Sequence, residues 1–207
     1  MPAKLDALVE RAAAAHGTKV GPEALVHIGG WLTRIEEWNA RIDLTAARSR
    51  EELVDLMLAD ALVLAQRVPR DGRLLDVGSG AGAPGLALAL LRTDLRVTLV
   101  EPLGKRASFL RLILGVVGRP DVMIERARGE ALAGRRDWDA VVSRATLPPA
   151  AWLDLGTQLT AKGGSVWVLL AKGDPPVHLR ATVETDVSYA WPLTGAERRA
   201  LAYRVRH

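Results

Sequence analysis

A glycine-rich segment combines the residue types and the spacing that most clearly predict a ligand site. Residues 74–85 read Leu-Leu-Asp-Val-Gly-Ser-Gly-Ala-Gly-Ala-Pro-Gly, an apolar run that leads into an acid and four spaced glycines. Glycine lets the backbone turn tightly and approach a ligand where a Cβ atom would clash. Pro84 suits the first turn of a helix that follows. The segment therefore predicts a strand, a ligand-contacting turn that contains Gly78 and Gly80, and then a helix.

The acid before the glycines indicates which ligand the turn accepts. Gly80, Gly82 and Gly85 satisfy the G-x-G-x-x-G pattern of dinucleotide-binding proteins. Asp76 ends the apolar run, however, and a carboxylate there would repel a pyrophosphate, whereas it suits the cationic amino-acid end of S-adenosylmethionine. Neither tyrosine of the chain has a lysine four residues later, so no Tyr-x-x-x-Lys pair argues for a nicotinamide cofactor. The turn thus favours S-adenosylmethionine over a dinucleotide.

A second acid follows the next predicted strand, because Glu101 comes directly after the strand-like residues 96–100. Ligands of open α/β sheets bind outside the carboxyl ends of the strands, and an acid at the end of the second strand can accept hydrogen bonds from both ribose hydroxyls. Asp76 and Glu101 are therefore predicted to bind the amino-acid end and the ribose of one nucleoside ligand.

The elements that must position these residues form two patterns along the chain. Three predicted helices come first, and from residue 73 onward strands alternate with helices, which implies a mostly parallel sheet with right-handed crossovers. The last two strands have no long helix between them, which favours an antiparallel hairpin at the sheet edge. We predict an N-terminal helical cap over residues 1–70 and an α/β domain of seven strands over residues 71–207. The predicted helices are Leu5–Ala15, Pro22–Trp38, Glu51–Val68, Pro84–Leu91, Gly104–Val117 and Pro148–Thr160, and the predicted strands are Arg73–Val77, Arg96–Val100, Val122–Glu125, Trp138–Ser143, Ser165–Ala171, Ala181–Tyr189 and Arg199–Arg206.

The composition limits the classes of protein. The chain has 207 residues, of which 49% are apolar and none is cysteine. A domain of this size needs no disulfide or structural metal to fold, and thiolate catalysis and cysteine-ligated zinc or iron–sulfur clusters are excluded. No apolar run reaches the roughly 20 residues of a membrane span, and residues 1–20 lack the apolar core of a secretory signal. We therefore expect a cytoplasmic monomer without a metal site, whose net charge of +4 permits a polyanionic partner.

Several further segments, in the same order along the chain, resemble one family. The turn at 76–85 is similar to the D-V-G-S-G-A-G-F-P-G motif of the bacterial 16S ribosomal RNA guanine-N7 methyltransferases, also called glucose-inhibited division protein B. The other matching segments are Trp38-Asn39, Leu44-Thr45-Ala46, Leu103-Gly104-Lys105-Arg106, Arg128-Gly129-Glu130, Val142-Ser143-Arg144-Ala145, Lys162-Gly163-Gly164 and Ala171-Lys172-Gly173.

The resemblance implies a fold, a reaction and further site residues. It implies a Rossmann-like class I methyltransferase that uses S-adenosylmethionine to methylate N7 of the guanine at position 527 of 16S rRNA, so that the partner is this RNA or the small ribosomal subunit. Guanine N7 carries a free lone pair, so no general base is expected, and Arg144 is the candidate for orienting the substrate. Carried over by position, the cofactor contacts are Gly78, Ala83, Gly129, Glu130 and Arg144.

The chain also departs from the family pattern. Ala83 replaces the phenylalanine of the turn and Asp43 replaces an asparagine, while Met57 and Ala61 stand where the family has a histidine and a serine. A diverged paralogue that methylates another RNA, a small molecule or a protein is therefore an alternative, and a non-enzymatic RNA-binding protein is a third reading. The basic residues expected to contact RNA are Arg41, Arg48, Arg50, Lys105, Arg106 and Lys172.

Overall fold

In the computed structural model, which describes residues 4–206, seven strands form one mixed sheet. The strands are β1 (Arg73–Val77), β2 (Arg96–Val100), β3 (Met123–Glu125), β4 (Trp138–Ser143), β5 (Thr160–Leu170), β6 (Ala181–Ala190) and β7 (Glu197–Val205). Their order across the sheet is β3-β2-β1-β4-β5-β7-β6. The strands β1 to β5 pair in parallel, and β7 runs antiparallel to both β5 and β6. The predicted antiparallel hairpin at the sheet edge is confirmed.

The helices cover both faces of this sheet. They are α1 (Leu5–Ala15), α2 (Pro22–Ile42), α3 (Arg50–Val54), a π-helical turn (Asp55–Ala59), α4 (Asp60–Ala65), α5 (Gly85–Leu91), α6 (Gly104–Val116), a 3-10 turn (Gly129–Leu132) and α7 (Pro149–Leu159). Successive side chains of a strand point to opposite faces. Leu74 accordingly packs in one apolar cluster with α1 to α6, whereas Leu75 and Val77 pack in a second cluster with α7.

The sequence predicted the strands on either side of the turn more accurately than the later helices of the cap. The bounds of α1, β1, β2 and β4 agree with the prediction. The single helix predicted over Glu51–Val68 is wrong in detail, because the π-helical turn interrupts it and α4 already ends at Ala65. The helix α2 continues to Ile42, and β5 begins at Thr160, directly after α7, rather than at Ser165.

The π-helical turn has a tertiary cause. A regular helix would rotate residues five positions apart onto different faces, whereas a π turn brings them together. Asp55 and Asp60 thereby both reach the connection between β6 and β7. Asp55 accepts hydrogen bonds from the backbone of Leu193 and Thr194, and Asp60 accepts one from the indole of Trp191. The cap is thus fastened to the far edge of the sheet.

The proposed segment boundary at residue 70 stays a prediction, and the ends of the two segments, residues 1–3 and 207, lie outside the described part. None of the helices within residues 4–206 has the length and apolar character needed to cross a membrane.

Candidate functional site

The glycine turn lies between β1 and α5, at the carboxyl edge of the sheet. Gly78 and Gly80 have φ values of 76° and 55°, which are left-handed values that favour glycine. The amides of Gly78 and Ser79 donate to the carbonyl of Val100 at 2.8 and 3.1 Å, so the turn is fastened to the end of β2. The indole of Trp31, on α2 of the cap, donates to the carbonyl of Ala81 at 2.9 Å. These hydrogen bonds support the turn from two sides.

Glu101 joins this turn to the end of β2. The residue is 2% exposed, and its carboxylate accepts hydrogen bonds from the amide of Gly80 to Oε2 at 2.9 Å and from the amide of Leu103 to Oε1 at 2.8 Å. Each carboxylate oxygen has a second lone pair, so both can still accept a hydrogen bond from a ligand. The structure thus preorganises an acceptor at the position that the sequence assigned to a ribose.

Asp76 lies beneath the turn rather than on its surface. Its Oδ2 accepts a hydrogen bond from the amide of Gly85 at 3.0 Å, and Oδ1 is buried with no partner among residues 4–206. Complete burial raises the pKa of Asp76 to about 6, and the Gly85 hydrogen bond offsets part of that rise. Asp76 therefore supports the start of α5, and its predicted contact with the ligand stays a prediction.

Two adjoining cavities open at the carboxyl edge of the sheet. The larger has a volume of about 530 Å³, and its lining includes Gly78, Gly80, Ala83, Glu101 and Arg144. The smaller has a volume of about 140 Å³, and its lining includes Gly78, Gly129 and Glu130. Gly78, Pro102 and Thr146 line both, so the cavities are neighbours. The structure brings together every predicted cofactor residue except Asp76.

Close packing explains two of the glycines in these linings. A Cβ atom at Gly78 would overlap the side chain of Thr146, which itself donates a hydrogen bond to the carbonyl of Val77 at 3.2 Å. A Cβ atom at Gly129 would lie 2.5 Å from Cγ1 of Val77. A larger residue at Gly78 would displace Thr146, and one at Gly129 would displace Val77 at the end of β1.

Arg144 follows β4 and links the larger cavity to the cap. Its Nη1 donates to the carbonyl of Leu56 and lies 3.4 Å from Oδ2 of the buried Asp60. The next residue, Ala145, has a φ of 54°, a value that costs energy in a residue with a Cβ atom. A strained backbone beside a cavity-lining arginine is typical of a functional site.

The sequence did not identify the cap residues that close the larger cavity. Its lining also contains Leu44, Thr45, Ala46, Leu56 and Met57. The first three were matched to a family segment, but that match carried no information about their position in space. Met57, which stands where the family has a histidine, lines the cavity, while Ala61, at the serine position, is completely buried.

The basic residues predicted to contact RNA are distributed over several surfaces. Arg106 lines the larger cavity, and its Nη2 donates to the main-chain carbonyl of Asp43 at 2.7 Å. Asp43 adopts the left-handed conformation with a φ of 51°, which asparagine and aspartate both tolerate, so this departure from the family preserves the backbone. Arg50 forms an ion pair with Glu36 at 2.8 Å. The residues Arg41, Arg48, Lys105 and Lys172 are exposed.

Lys172 lines a separate cavity of about 470 Å³, together with Tyr189, Arg198 and Arg199. This cavity also lies at the carboxyl edge of the sheet, because β5 and β6 end there and the antiparallel β7 begins there. The RNA residues predicted from the sequence therefore do not converge on one cavity.

The fold is that of the class I methyltransferases. The structure of the Burkholderia thailandensis 1,6-didemethyltoxoflavin-N1-methyltransferase, solved with 1,6-didemethyltoxoflavin and S-adenosylhomocysteine bound, has a similar fold, with a TM-score of 0.58 and 14% identity over 88% of each chain. The M. jannaschii protein TYW2, solved in complex with AdoMet, has a TM-score of 0.56 and 11% identity over 70% of this chain and 74% of its own. At these identities the similarity concerns the fold.

Sequence comparison identifies the family within this class. The family model GidB, described as rRNA small subunit methyltransferase G, matches residues 26–185, and the chain belongs to this family. A protein named ribosomal RNA small subunit methyltransferase G from an Anaeromyxobacter species is 32% identical over 97% of both chains. The protein of the same name from Halorhodospira halophila is 43% identical over 70% of this chain and 69% of its own.

Proposed function

We propose that this protein transfers a methyl group from S-adenosylmethionine to N7 of a guanine, at position 527, in 16S rRNA. The observation that carries the proposal is the pair of adjoining cavities at the carboxyl edge of the sheet. Residues from the turn after β1, the end of β2, the segment after β3 and the end of β4 line them. Such a convergence of strand ends is where open α/β sheets bind their ligands.

The lining fits the parts of S-adenosylmethionine. The larger cavity, of about 530 Å³, lies within the roughly 300–1,000 Å³ typical of small-molecule sites, and the smaller cavity of about 140 Å³ adjoins it. The free lone pairs of Glu101 suit the two ribose hydroxyls. The smaller cavity, which Pro102, Leu147 and Leu155 make largely apolar next to Gly129 and Glu130, suits the adenine. Ala83 and Gly80, on the turn in the larger cavity, leave room for the methionine portion.

The reaction requires alignment more than acid–base chemistry. S-adenosylmethionine, when bound, supplies an electrophilic methyl group on a sulfonium. The lone pair of guanine N7 forms the new N–C bond as the S–C bond breaks. The electron pair of the S–C bond stays on sulfur, and no proton is released. The positive charge moves from the sulfur to the base. Positioning of this kind can lower a barrier by about 7–11 kcal/mol, and we assign Arg144 to orient the guanine.

The RNA partner is supported by the distribution of charge around the site. Arg106 lies in the cavity lining and Lys105 is exposed at the start of α6, beside the larger cavity. Phosphate contacts of this type position a nucleic acid without reading its sequence. We further propose that the protein acts in the cytoplasm as a monomer, with residues 1–70 as the cap of the catalytic domain, and sedimentation with and without RNA tests the oligomeric state.

Transfer of a labelled methyl group tests the proposal. Small subunits, and separately naked 16S rRNA, are purified from a strain that lacks this gene and incubated with the protein and methyl-labelled S-adenosylmethionine. We expect one N7-methylguanine, mapped by chemical cleavage at the modified base and by mass spectrometry. Glu101→Gln should abolish most of the transfer, whereas Glu184→Gln, which alters an exposed carboxylate paired with Arg204 at 2.7 Å, should not. Label in a different RNA, or in no RNA, would contradict the assignment.

A further inference from the structure

Asp60, on α4 of the cap, is a buried carboxylate for which the reaction described above has no role. Its side chain is only 4% exposed, yet its two oxygens face three partners. Oδ1 accepts hydrogen bonds from the hydroxyl of Tyr189 at 2.7 Å and from the indole of Trp191 at 3.2 Å. Oδ2 lies 3.4 Å from Nη1 of Arg144. A buried charge that loses its partner is strongly destabilising, so these contacts restrict both Asp60 and the arginine.

Asp60 and Arg144 are 84 residues apart in the chain, and only Arg144 lies in the lining of the larger cavity. Arg144 directly follows β4, while Asp60 lies at the start of α4 in the cap. Within residues 4–206, the hydrogen bonds that Arg144 donates come from Nη1 alone, to Leu56 and Asp60. The guanidinium has five N–H donors in a rigid plane, so fixing one edge leaves the other available at the cavity.

We propose that Asp60 is a positioning residue, which holds the Arg144 guanidinium at the edge of the methyl-transfer site and balances its charge. This inference rests on the proposed function. Methyl transfer begins with a cationic sulfonium and ends with a cationic guanine, so a positive charge is present in the cavity throughout. An arginine that orients the guanine but has no counter-charge of its own would repel both the sulfonium and the methylated guanine. Asp60 allows Arg144 to donate hydrogen bonds with little net repulsion.

A second buried carboxylate provides a matched control. Asp55, five residues earlier on the same face, accepts hydrogen bonds from the amides of Leu193 and Thr194 and from the hydroxyl of Thr194. It fastens the cap to the β6–β7 connection, as Asp60 does through Trp191. No hydrogen bond or ion pair joins Asp55 to Arg144 within the described residues. Replacement of either aspartate should weaken the contact between the cap and the β6–β7 connection. Only replacement of Asp60 should change the position and the charge balance of Arg144.

Asp60→Asn is the decisive variant. The amide oxygen can still accept from Tyr189 and Trp191, while the amide nitrogen, a donor without charge, faces Arg144. We expect kcat on 16S rRNA to fall by about tenfold, which is within the range of coupling between contacting residues. S-adenosylmethionine alone, measured by calorimetry without RNA, should also bind more weakly, because the arginine is left without its counter-charge.

A double-mutant cycle separates positioning from stability. In the Arg144→Gln background, Asp60→Asn should change kcat by less than about twofold, and donor affinity should recover relative to the single Asp60→Asn variant. Asp55→Asn, compared at equal loss of thermal stability, should leave both quantities closer to those of the wild type. Equal losses from Asp60→Asn in both backgrounds, or an equal effect of Asp55→Asn, would overturn the proposal.

The two proposals fail in different ways. If the unmodified protein methylates no 16S rRNA, the proposed function is wrong, and the donor affinities alone then decide the role of Asp60. Recovery of affinity in the double variant would support the charge balance, and its absence would refute it. If the unmodified protein methylates 16S rRNA and Asp60→Asn does so at the same rate, the positioning role is wrong and the proposed function stands.

Discussion

Replacement of Asp76 by asparagine should make the stability of this protein less dependent on pH. Asp76 is completely buried beneath the glycine turn, and burial raises its pKa from 3.8 to about 6. The folded state therefore binds a proton more readily than the unfolded state. The ionised carboxylate costs stability above pH 6, and the cost disappears as the pH falls below 3.8. Asparagine keeps an oxygen for the amide of Gly85 and has no such titration.

The size of the effect follows from the change in pKa. A difference of about two pKa units, at about 1.4 kcal/mol each, corresponds to a cost of about 3 kcal/mol near pH 7.5. About half of this cost remains near pH 5, where most of the folded molecules carry the proton. The free energy of unfolding of Asp76→Asn, relative to the wild type, should therefore decrease by about 1–2 kcal/mol when the pH is lowered from 7.5 to 5.

Urea unfolding at both pH values measures this change. The new amide nitrogen takes the place of Oδ1, which has no partner within residues 4–206, and an unsatisfied donor costs about 1–3 kcal/mol. That cost is the same at both pH values, so the difference between the pH values isolates the titration of Asp76. A difference that does not change with pH, or that grows as the pH falls, would refute the reasoning.

Binding of the methyl donor provides an independent reading of the same carboxylate. If Asp76 interacts with the cationic amino-acid end of S-adenosylmethionine, as the sequence predicts, binding should lower the pKa of Asp76. Calorimetry should then show affinity that weakens from pH 7.5 to pH 5 in the wild type and changes less in Asp76→Asn. Equal pH dependence in the two proteins would assign Asp76 a purely structural role.

Three further predictions concern the cavity and the RNA contacts. Glu101→Gln places an amide nitrogen against one of two backbone donors at 2.8–2.9 Å, so donor affinity measured by calorimetry should fall at least about tenfold. Gly129→Ala should lower the free energy of unfolding by about 1–3 kcal/mol through overlap with the end of β1, whereas Gly115→Ala, in open space on α6, should not. Lys172→Ala should reduce by about one the slope of RNA affinity against salt concentration, while Lys162→Ala, at the opposite end of β5, should leave it unchanged.

Local patterns account for the part of the fold that the sequence predicted well. The strand β1, the glycine turn and α5 are specified by an apolar run, by residues that tolerate left-handed backbone and by a following helical pattern. Glu101, the acid after β2, lies in the cavity lining because parallel strands place their carboxyl ends on one edge of the sheet. Alternation of strands and helices was enough to indicate a parallel sheet.

The cap shows where local patterns are insufficient. Periodicity predicted one helix over residues 51–68, because it registers which residues are apolar and not which tertiary partners they meet. The π-helical turn exists where Asp55 and Asp60 both reach the β6–β7 connection, which is more than a hundred residues later in the chain. The pattern of predicted strands likewise did not indicate that β7 lies between β5 and β6.

The sequence by itself determined the class of fold, the glycine turn after β1, and the acids and glycines that are predicted to bind a ligand there, because each depends on neighbouring residues in the chain. The tertiary structure alone decided that Leu44, Thr45 and Met57 close the larger cavity, that Asp76 lies under the turn, and that Asp60 meets Arg144. These arrangements depend on packing between segments distant in sequence, and a buried charge selects its partner only when the fold has brought that partner within reach.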